Sequence, residues 1–163
     1  MGKEKKQQAK ILGLIIGLVA VLIGGLLFMG AVSGWFDDEK IVLDKEYYSE
    51  DNVDFLELGA DKYEDLVKNK KSFIVFVDQN GCTTADRLRE YITQYAKDNN
   101  IAVYRMMFSE SKDSSLNEYV KYYPSVAFVD KGLPCWYLRA DSDEDADIYN
   151  NYDSFRNWMN QHL

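Results

Sequence analysis

A strand that runs directly into a cysteine at the start of a helix constrains this chain more than any other feature. The apolar run from Phe73 to Asp78 predicts a buried central strand of a parallel sheet. A short polar loop then leads to Cys82, after which apolar residues recur at helical spacing. Further along, Tyr123-Pro124-Ser125 enters a second apolar run. The sequence therefore predicts an α/β domain with a thiol at the junction of a central strand and a helix.

These residues resemble the thioredoxin fold, in which a Cys-x-x-Cys helix start faces a loop that carries a cis-proline. The resemblance covers residues 53–163 by pattern and implies a three-layer α/β/α sandwich with the element order βαβαβαββα. It also implies a cis bond before Pro124, which sets the backbone of Tyr123 opposite Cys82, where the family pairs with extended substrate segments. The second cysteine of the motif is replaced by Ala85. The implied domain therefore lacks the usual two-thiol cycle.

The remaining elements follow from apolar periodicity and from turn and cap residues. Asp61 with Glu64, and Ser115 with Glu118, have the capping-box spacing of two helix starts. The Lys131-Gly132 pair predicts a hairpin turn. Strands are expected at residues 53–58, 101–108, 126–130 and 135–139, and a closing helix is expected to bury Phe155, Trp158 and Met159.

A stretch near the amino terminus predicts membrane attachment. Residues 11–32 contain no charged side chain and reach the length of about 20 residues that a helix needs to cross a bilayer. Lysines precede the stretch and acidic residues follow it, so the amino terminus should be cytoplasmic. A cleavable signal peptide is the alternative, but its apolar core normally has only about 7–15 residues.

We therefore predict a bacterial-type, single-pass protein of the cell membrane with an extracytoplasmic domain. Its parts would be a cytoplasmic basic tail at 1–10, a signal anchor at 11–32, a stalk at 33–52 and the thioredoxin-like domain at 53–163. The stalk would contribute an extra strand at residues 41–43.

Charge excludes several classes of partner. The first ten residues hold four lysines and one glutamate, so the net charge of −8 for the whole chain leaves −11 for the remainder. Such a domain repels phosphates, which disfavours binding to nucleic acid.

The acidic run at 141–147 starts like a calcium loop, but Ala146 and Tyr152 stand where that motif needs a glycine and a carboxylate. We interpret the run as a solvated loop, and we expect no metal and no cofactor.

The chemistry expected of Cys82 depends on its surroundings. Backbone N–H groups at a helix start favour the thiolate, whereas Asp78 and Asp86 would oppose it if they lie close. The other cysteine, Cys135, is expected in the last strand, too far away to form a disulfide with Cys82. A Cys-His hydrolytic pair is disfavoured because the single histidine, His162, lies at the far end of the chain.

Two functions remain open at this point. In the first, Cys82 is a monothiol nucleophile that forms mixed disulfides with exported proteins or with a low-molecular-weight thiol, and Tyr123 and Pro124 dock the substrate. In the second, the same groove binds extended peptides without covalent chemistry, as an adaptor. Pairing of Cys82 with its copy in a second molecule would give a homodimer. We interpret Thr83 and Thr84 first as helix caps and include them among the predicted substrate-binding residues.

Overall fold

The computed structural model describes residues 40–48 and 55–163. Within these residues the chain forms five strands, five α-helices and three short 3-10 turns. The 3-10 turns are Lys45–Tyr47, Ser115–Glu118 and Asp143–Asp145. The other elements are β1 (Leu56–Glu57), α1 (Ala60–Lys68), β2 (Phe73–Asp78), α2 (Thr83–Asn99), β3 (Tyr104–Met107), α3 (Phe108–Lys112), β4 (Ser125–Asp130), β5 (Leu133–Tyr137), α4 (Ala146–Asn150) and α5 (Tyr152–His162).

The strands form one mixed sheet in the order β1-β3-β2-β4-β5. The β1, β3 and β2 strands are parallel, whereas β4 runs antiparallel to β2 and β5 antiparallel to β4. All six residues of β2 are buried, as expected for a strand covered on both faces. The predicted order βαβαβαββα is present, with α4 as an additional helix before α5.

Helices cover both faces of the sheet. Successive side chains of a strand point to opposite faces, so Phe73 and Asp78 lie on different sides of β2. Phe73 contacts Tyr63 of α1, with ring centroids 6.0 Å apart. Asp78 forms an ion pair with Arg89 of α2, and α5 packs beside α2 on that face. This arrangement confirms the predicted three-layer α/β/α sandwich.

The segment upstream of β1 is part of the folded unit. Ile41, Leu43 and Tyr47 are buried in the same core as the sheet, and the compact unit begins at Lys40. The predicted stalk at 33–52 therefore overlaps the domain, because its apolar side chains fill the core. The strand predicted within this segment does not form, since residues 40–44 have no regular secondary structure and a 3-10 turn follows them.

No helix within residues 40–48 and 55–163 is long and apolar enough to span a bilayer. The predicted basic tail and the predicted anchor at 11–32 both lie outside the described residues. The prediction of a membrane anchor therefore still rests on the sequence alone.

The two predicted capping boxes do not form, because Gly59 and Ser114 are the N-cap residues, and Asp61 and Ser115 lie inside the helical segments. Carboxylates from distant segments bind these helix starts instead. Glu64 Oε1 accepts a hydrogen bond from the backbone N–H of Ser115 at 2.6 Å. Glu110 Oε2 accepts one from the N–H of Ala60, the first residue of α1, at 3.1 Å. Each carboxylate thus satisfies a helix start that is about fifty residues away in sequence. The packing of α1 against the segment after β3, and not the capping-box spacing, therefore determines which carboxylates bind these helix starts.

The third strand is shorter than the predicted 101–108. Ile101 forms an isolated bridge with Tyr48, and the N–H of Ala102 donates to the carbonyl of Tyr47 at 2.8 Å. Phe108 begins α3 instead of extending the strand. Ile101 and Ala102 therefore pair with the segment upstream of β1, whereas the sequence pattern predicted that they belong to the third strand of the sheet.

Replacing Gly132 in the β4–β5 turn with alanine should destabilise the domain more than the same change at Gly81. Both glycines have positive φ, +81° and +75°, so either alanine costs about 1–2 kcal/mol. A Cβ at Gly132 would also lie 2.3 Å from the carbonyl oxygen of Val67, whereas a Cβ at Gly81 would meet nothing within 4 Å. We expect the overlap to add about 1–3 kcal/mol.

Urea unfolding of the two variants measures this difference. Gly81→Ala is the matched control, because it carries the backbone cost without the steric overlap. Equal losses of unfolding free energy would contradict the close contact between the hairpin turn and α1.

Candidate functional site

Cys82 lies where the central strand passes into α2. The loop after β2 turns at Gly81, and Cys82 is the N-cap residue of the helix, with extended backbone (φ −104°, ψ 114°). Its side chain is half-buried, and its carbonyl accepts the N–H of Asp86 at 2.9 Å. The predicted position of the thiol at the helix start is confirmed. The prediction that Thr83 and Thr84 cap the helix is wrong, because they are its first two residues.

An open cleft of about 370 Å³ joins the predicted site residues. Cys82 and Thr84 line one side, and Tyr123 and Pro124 line another. Thr83 does not line this cleft and is exposed on the first turn of the helix. Four of the five predicted residues therefore meet around one space.

The loop before β4 presents free backbone to this cleft. The bond between Tyr123 and Pro124 is cis, as the resemblance to the thioredoxin fold implies. The ring of Tyr123 packs against Phe108 with centroids 4.6 Å apart, which holds the residue in place while 40% of its surface stays exposed. No backbone group of the described residues forms a hydrogen bond with the backbone of Tyr123. Its N–H and C=O are thus available to an extended segment that enters the cleft.

A buried tyrosine that the sequence analysis did not identify supports this loop. Tyr149 of α4 is 6% exposed, and its hydroxyl donates to the carbonyl of Pro124 at 2.8 Å. Burial, together with the charges of Asp145 and Asp141, raises the pKa of Tyr149 well above its usual range, so the hydroxyl keeps its proton. The signal in the sequence was an apolar pair, Ile148 and Tyr149, directly after the acidic run at 141–147.

The acidic run forms a further wall of the cleft. Asp141, Ser142 and Asp143 line it. The run is more ordered than the predicted solvated loop, because it contains a 3-10 turn and the start of α4. Arg139 holds it in place through Glu144 at 2.5 Å and through its backbone N–H to Asp145 at 2.6 Å. Among the residues that the structure describes, no group of three side chains is arranged to hold a metal ion.

A fully buried carboxylate anchors the loop that carries Cys82. Asp78, at the end of β2, accepts from Arg89 at 2.8 and 2.9 Å and from Arg105 Nε at 2.7 Å. It also accepts the backbone N–H of Gln79 at 2.7 Å. Asp86 pairs with the same Arg89 at 2.8 Å. Guanidinium groups therefore pair with both aspartates, and the effect of these carboxylates on the thiolate of Cys82 stays a prediction.

The second thiol lies at the other end of the sheet. Phe128 of β4 is paired with Ile74 on one side and with Trp136 on the other, so Cys135 is level with the start of β2. Cys82 follows the end of β2, about 13 Å away along the strand direction at 3.3 Å per residue. A disulfide needs Cα atoms within about 7 Å, so the two thiols of one chain cannot pair. This agrees with the predicted position of Cys135.

Neither Cys135 nor His162 takes part in the cleft. The Sγ of Cys135 donates to the carbonyl of Phe128 at 3.3 Å, and the residue is exposed. His162 stacks on Trp136 with ring centroids 4.5 Å apart, and burial lowers the pKa of the imidazole. Cys82 therefore has no histidine partner.

No protein-family model and no curated protein matches the chain. Solved structures do match it. A point mutant of thioredoxin from Halobacterium salinarum is similar with a TM-score of 0.50 and 15% identity, over 70% of this chain and 93% of that one. Mitochondrial thioredoxin 3 from Saccharomyces cerevisiae is similar with a TM-score of 0.50 and 11% identity, over 65% and 93% of the two chains. At these identities the likeness concerns the fold alone, and the described domain has the thioredoxin fold.

Proposed function

We propose that this chain is a monothiol thioredoxin-fold protein whose Cys82 forms mixed disulfides with exported proteins. The observation that carries the proposal is the cleft shared by Cys82, Thr84, Tyr123 and Pro124. The thiol is half-buried at a helix start, and the free backbone of Tyr123 lies on the same cleft. An extended segment that pairs with Tyr123 would bring its own sulfur to Cys82.

The exchange step needs only the groups of the cleft and a disulfide of the partner. The thiolate of Cys82 attacks one sulfur of that disulfide, the partner's S–S bond breaks, and a new bond joins Cys82 to the partner. The released partner sulfur leaves as a thiolate and takes up a proton. Because Ala85 has no sulfur, a second molecule must end the reaction. The thiolate of an external low-molecular-weight thiol attacks the partner's sulfur in the mixed disulfide. A new disulfide joins this thiol to the partner, and Cys82 leaves as a thiolate.

Recovery of disulfide-linked adducts tests this proposal. The full chain is expressed in bacterial cells, and acid is added to stop thiol-disulfide exchange. On a non-reducing gel, its adducts should give bands that migrate more slowly than the chain alone. Replacing Cys82 with serine should remove them. Cys135→Ser is the matched control and should keep them, because Cys135 lies outside the cleft. The absence of adducts in the wild type, or their persistence in Cys82→Ser, would overturn the redox function. A band at twice the mass of the chain would identify the homodimer through Cys82.

A non-covalent adaptor is the second candidate function. The observation in its favour is Ala85, which is fully buried at the position of the missing second thiol. In this case extended peptides would occupy the same cleft through backbone pairing with Tyr123. Capture of a partner that is equal for the wild type and for Cys82→Ser, without covalent adducts, would favour the adaptor over the monothiol protein.

We also propose that the domain is tethered outside the cell membrane through residues 11–32. The support is the uncharged length of that stretch and the lysines that precede it. A thiol reagent that cannot cross membranes should label Cys82 in intact cells. Labelling that appears only after the cells are lysed would contradict this topology.

A further inference from the structure

Two carboxylates in the cleft are not explained by the thiol chemistry. Asp141 and Asp143 are exposed on its acidic wall, and neither has an ion-pair partner among the described residues. Their neighbours Glu144 and Asp145 differ, because both pair with Arg139. The unpaired charges thus face the space into which Cys82 opens.

No cation among the described residues lines this cleft. Two arginines near its rim offset only part of the negative charge. Arg87 donates to the side-chain oxygen of Asn150 at 2.5 Å, and Arg139 attracts Asp141 but is already paired with Glu144 and Asp145. The two carboxylates therefore give the cleft a net negative potential. Such a potential attracts cationic groups and repels anionic ones at the point of attack.

The cleft continues past Pro124 onto aromatic rings. An adjoining cleft of about 190 Å³ shares Ala140 and Asp141 with the first. Its lining includes the aromatic residues Tyr119, Tyr122 and Tyr137 and the cations Lys121 and Arg139, so the cleft without cations is the one that contains Cys82. Two adjoining clefts, the first of which is lined by Tyr123 with its free backbone, suit an extended chain better than a small thiol.

From this charge and shape we infer that the preferred substrate of Cys82 is a cysteine in an extended segment with a lysine or arginine next to its sulfur. Asp141 and Asp143 are then specificity-determining residues, since they favour the approach of a cation and disfavour anionic thiols. The inference rests on the proposed thiol chemistry of Cys82 and adds the class of its substrate.

Small disulfides of different charge isolate the electrostatic part of this preference. The full chain carrying Cys135→Ser is reacted with cystamine, 2-hydroxyethyl disulfide and dithiodiglycolate, which are cationic, neutral and anionic. Intact mass against time gives the rate constant for modification of Cys82. Each rate is divided by that of a small neutral thiol with the same reagent, which removes the intrinsic reactivity of the probe.

We expect the corrected rate for cystamine to exceed that for dithiodiglycolate about tenfold at low ionic strength. The ratio should fall towards one in 1 M salt, where the screening length is about 3 Å. The double variant Asp141→Asn/Asp143→Asn should lose most of the preference. Asp61→Asn/Asp65→Asn is the matched control, because it removes the same charge from exposed positions on α1, across the sheet, and should keep the preference.

The possible results distinguish a failure of the charge selectivity from a failure of the thiol chemistry of Cys82. Equal corrected rates for the three probes, or a preference that persists in Asp141→Asn/Asp143→Asn, would overturn the charge selectivity and leave the thiol chemistry standing. No reaction of Cys82 with any probe would overturn both.

Discussion

Replacing Asp78 with alanine should lower the free energy of unfolding by about 3–5 kcal/mol. The carboxylate has no exposed surface and holds two guanidinium groups together. Without it, Arg89 and Arg105 would face each other across a buried space as like charges. Both arginine side chains keep some exposure, 30% and 24%, so they can partly turn to water, and we expect the lower end of the range. Urea unfolding measures the loss.

Asp86→Ala is the control for this experiment. Its carboxylate pairs with the same Arg89, but its side chain is 55% exposed. Exposed ion pairs contribute at most about 1 kcal/mol, so this variant should be nearly as stable as the wild type. Similar losses of unfolding free energy in both variants would show that burial of Asp78 does not increase its contribution to stability.

The second large effect is expected from Ala85→Cys, which should raise the rate of insulin reduction with dithiothreitol more than about tenfold. The new thiol would lie three residues after Cys82, on the same first turn of α2. It could then resolve a mixed disulfide within the molecule, where the wild type depends on a second molecule. Precipitation of the insulin B chain, followed by turbidity, measures the rate.

The same variant without its nucleophile provides the control. Cys82→Ser/Ala85→Cys should be as slow as the wild type or slower, because the added thiol is buried beneath the turn. A wild type that already matches a two-thiol thioredoxin would mean that Cys135 resolves the intermediate. That outcome would contradict the strand register, which places Cys135 at the other end of the sheet.

The central strand and the hairpin could be predicted from the sequence because their signals are local. A continuous apolar run bounded by charges at Lys71 and Asp78 allows little choice of strand limits, and the structure has the strand at the predicted residues. Lys131 and Gly132 both adopt positive φ, as a tight turn between strands requires. The position of Cys82 follows from the same local switch between strand and helix.

Features that depend on distant contacts were not predictable in this way. The capping-box spacing of Asp61 with Glu64 is a local signal, but Glu64 binds Ser115 across the fold. The environment of Asp78 depends on Arg105, the only charged residue in the predicted strand at 101–108, and a single sequence does not say which carboxylate that arginine meets. The contact of Tyr149 with Pro124 likewise requires the last helices to be in place.

The separation of the two thiols determines how this protein responds to an oxidant. Cys82 and Cys135 are the only cysteines of the chain, and the sheet holds them too far apart to join. One molecule on its own therefore cannot give two electrons to an oxidant by forming an internal disulfide. Every disulfide that it forms links it to another molecule. Oxidising conditions would thus change which molecules are joined to the domain and leave its internal covalent structure the same.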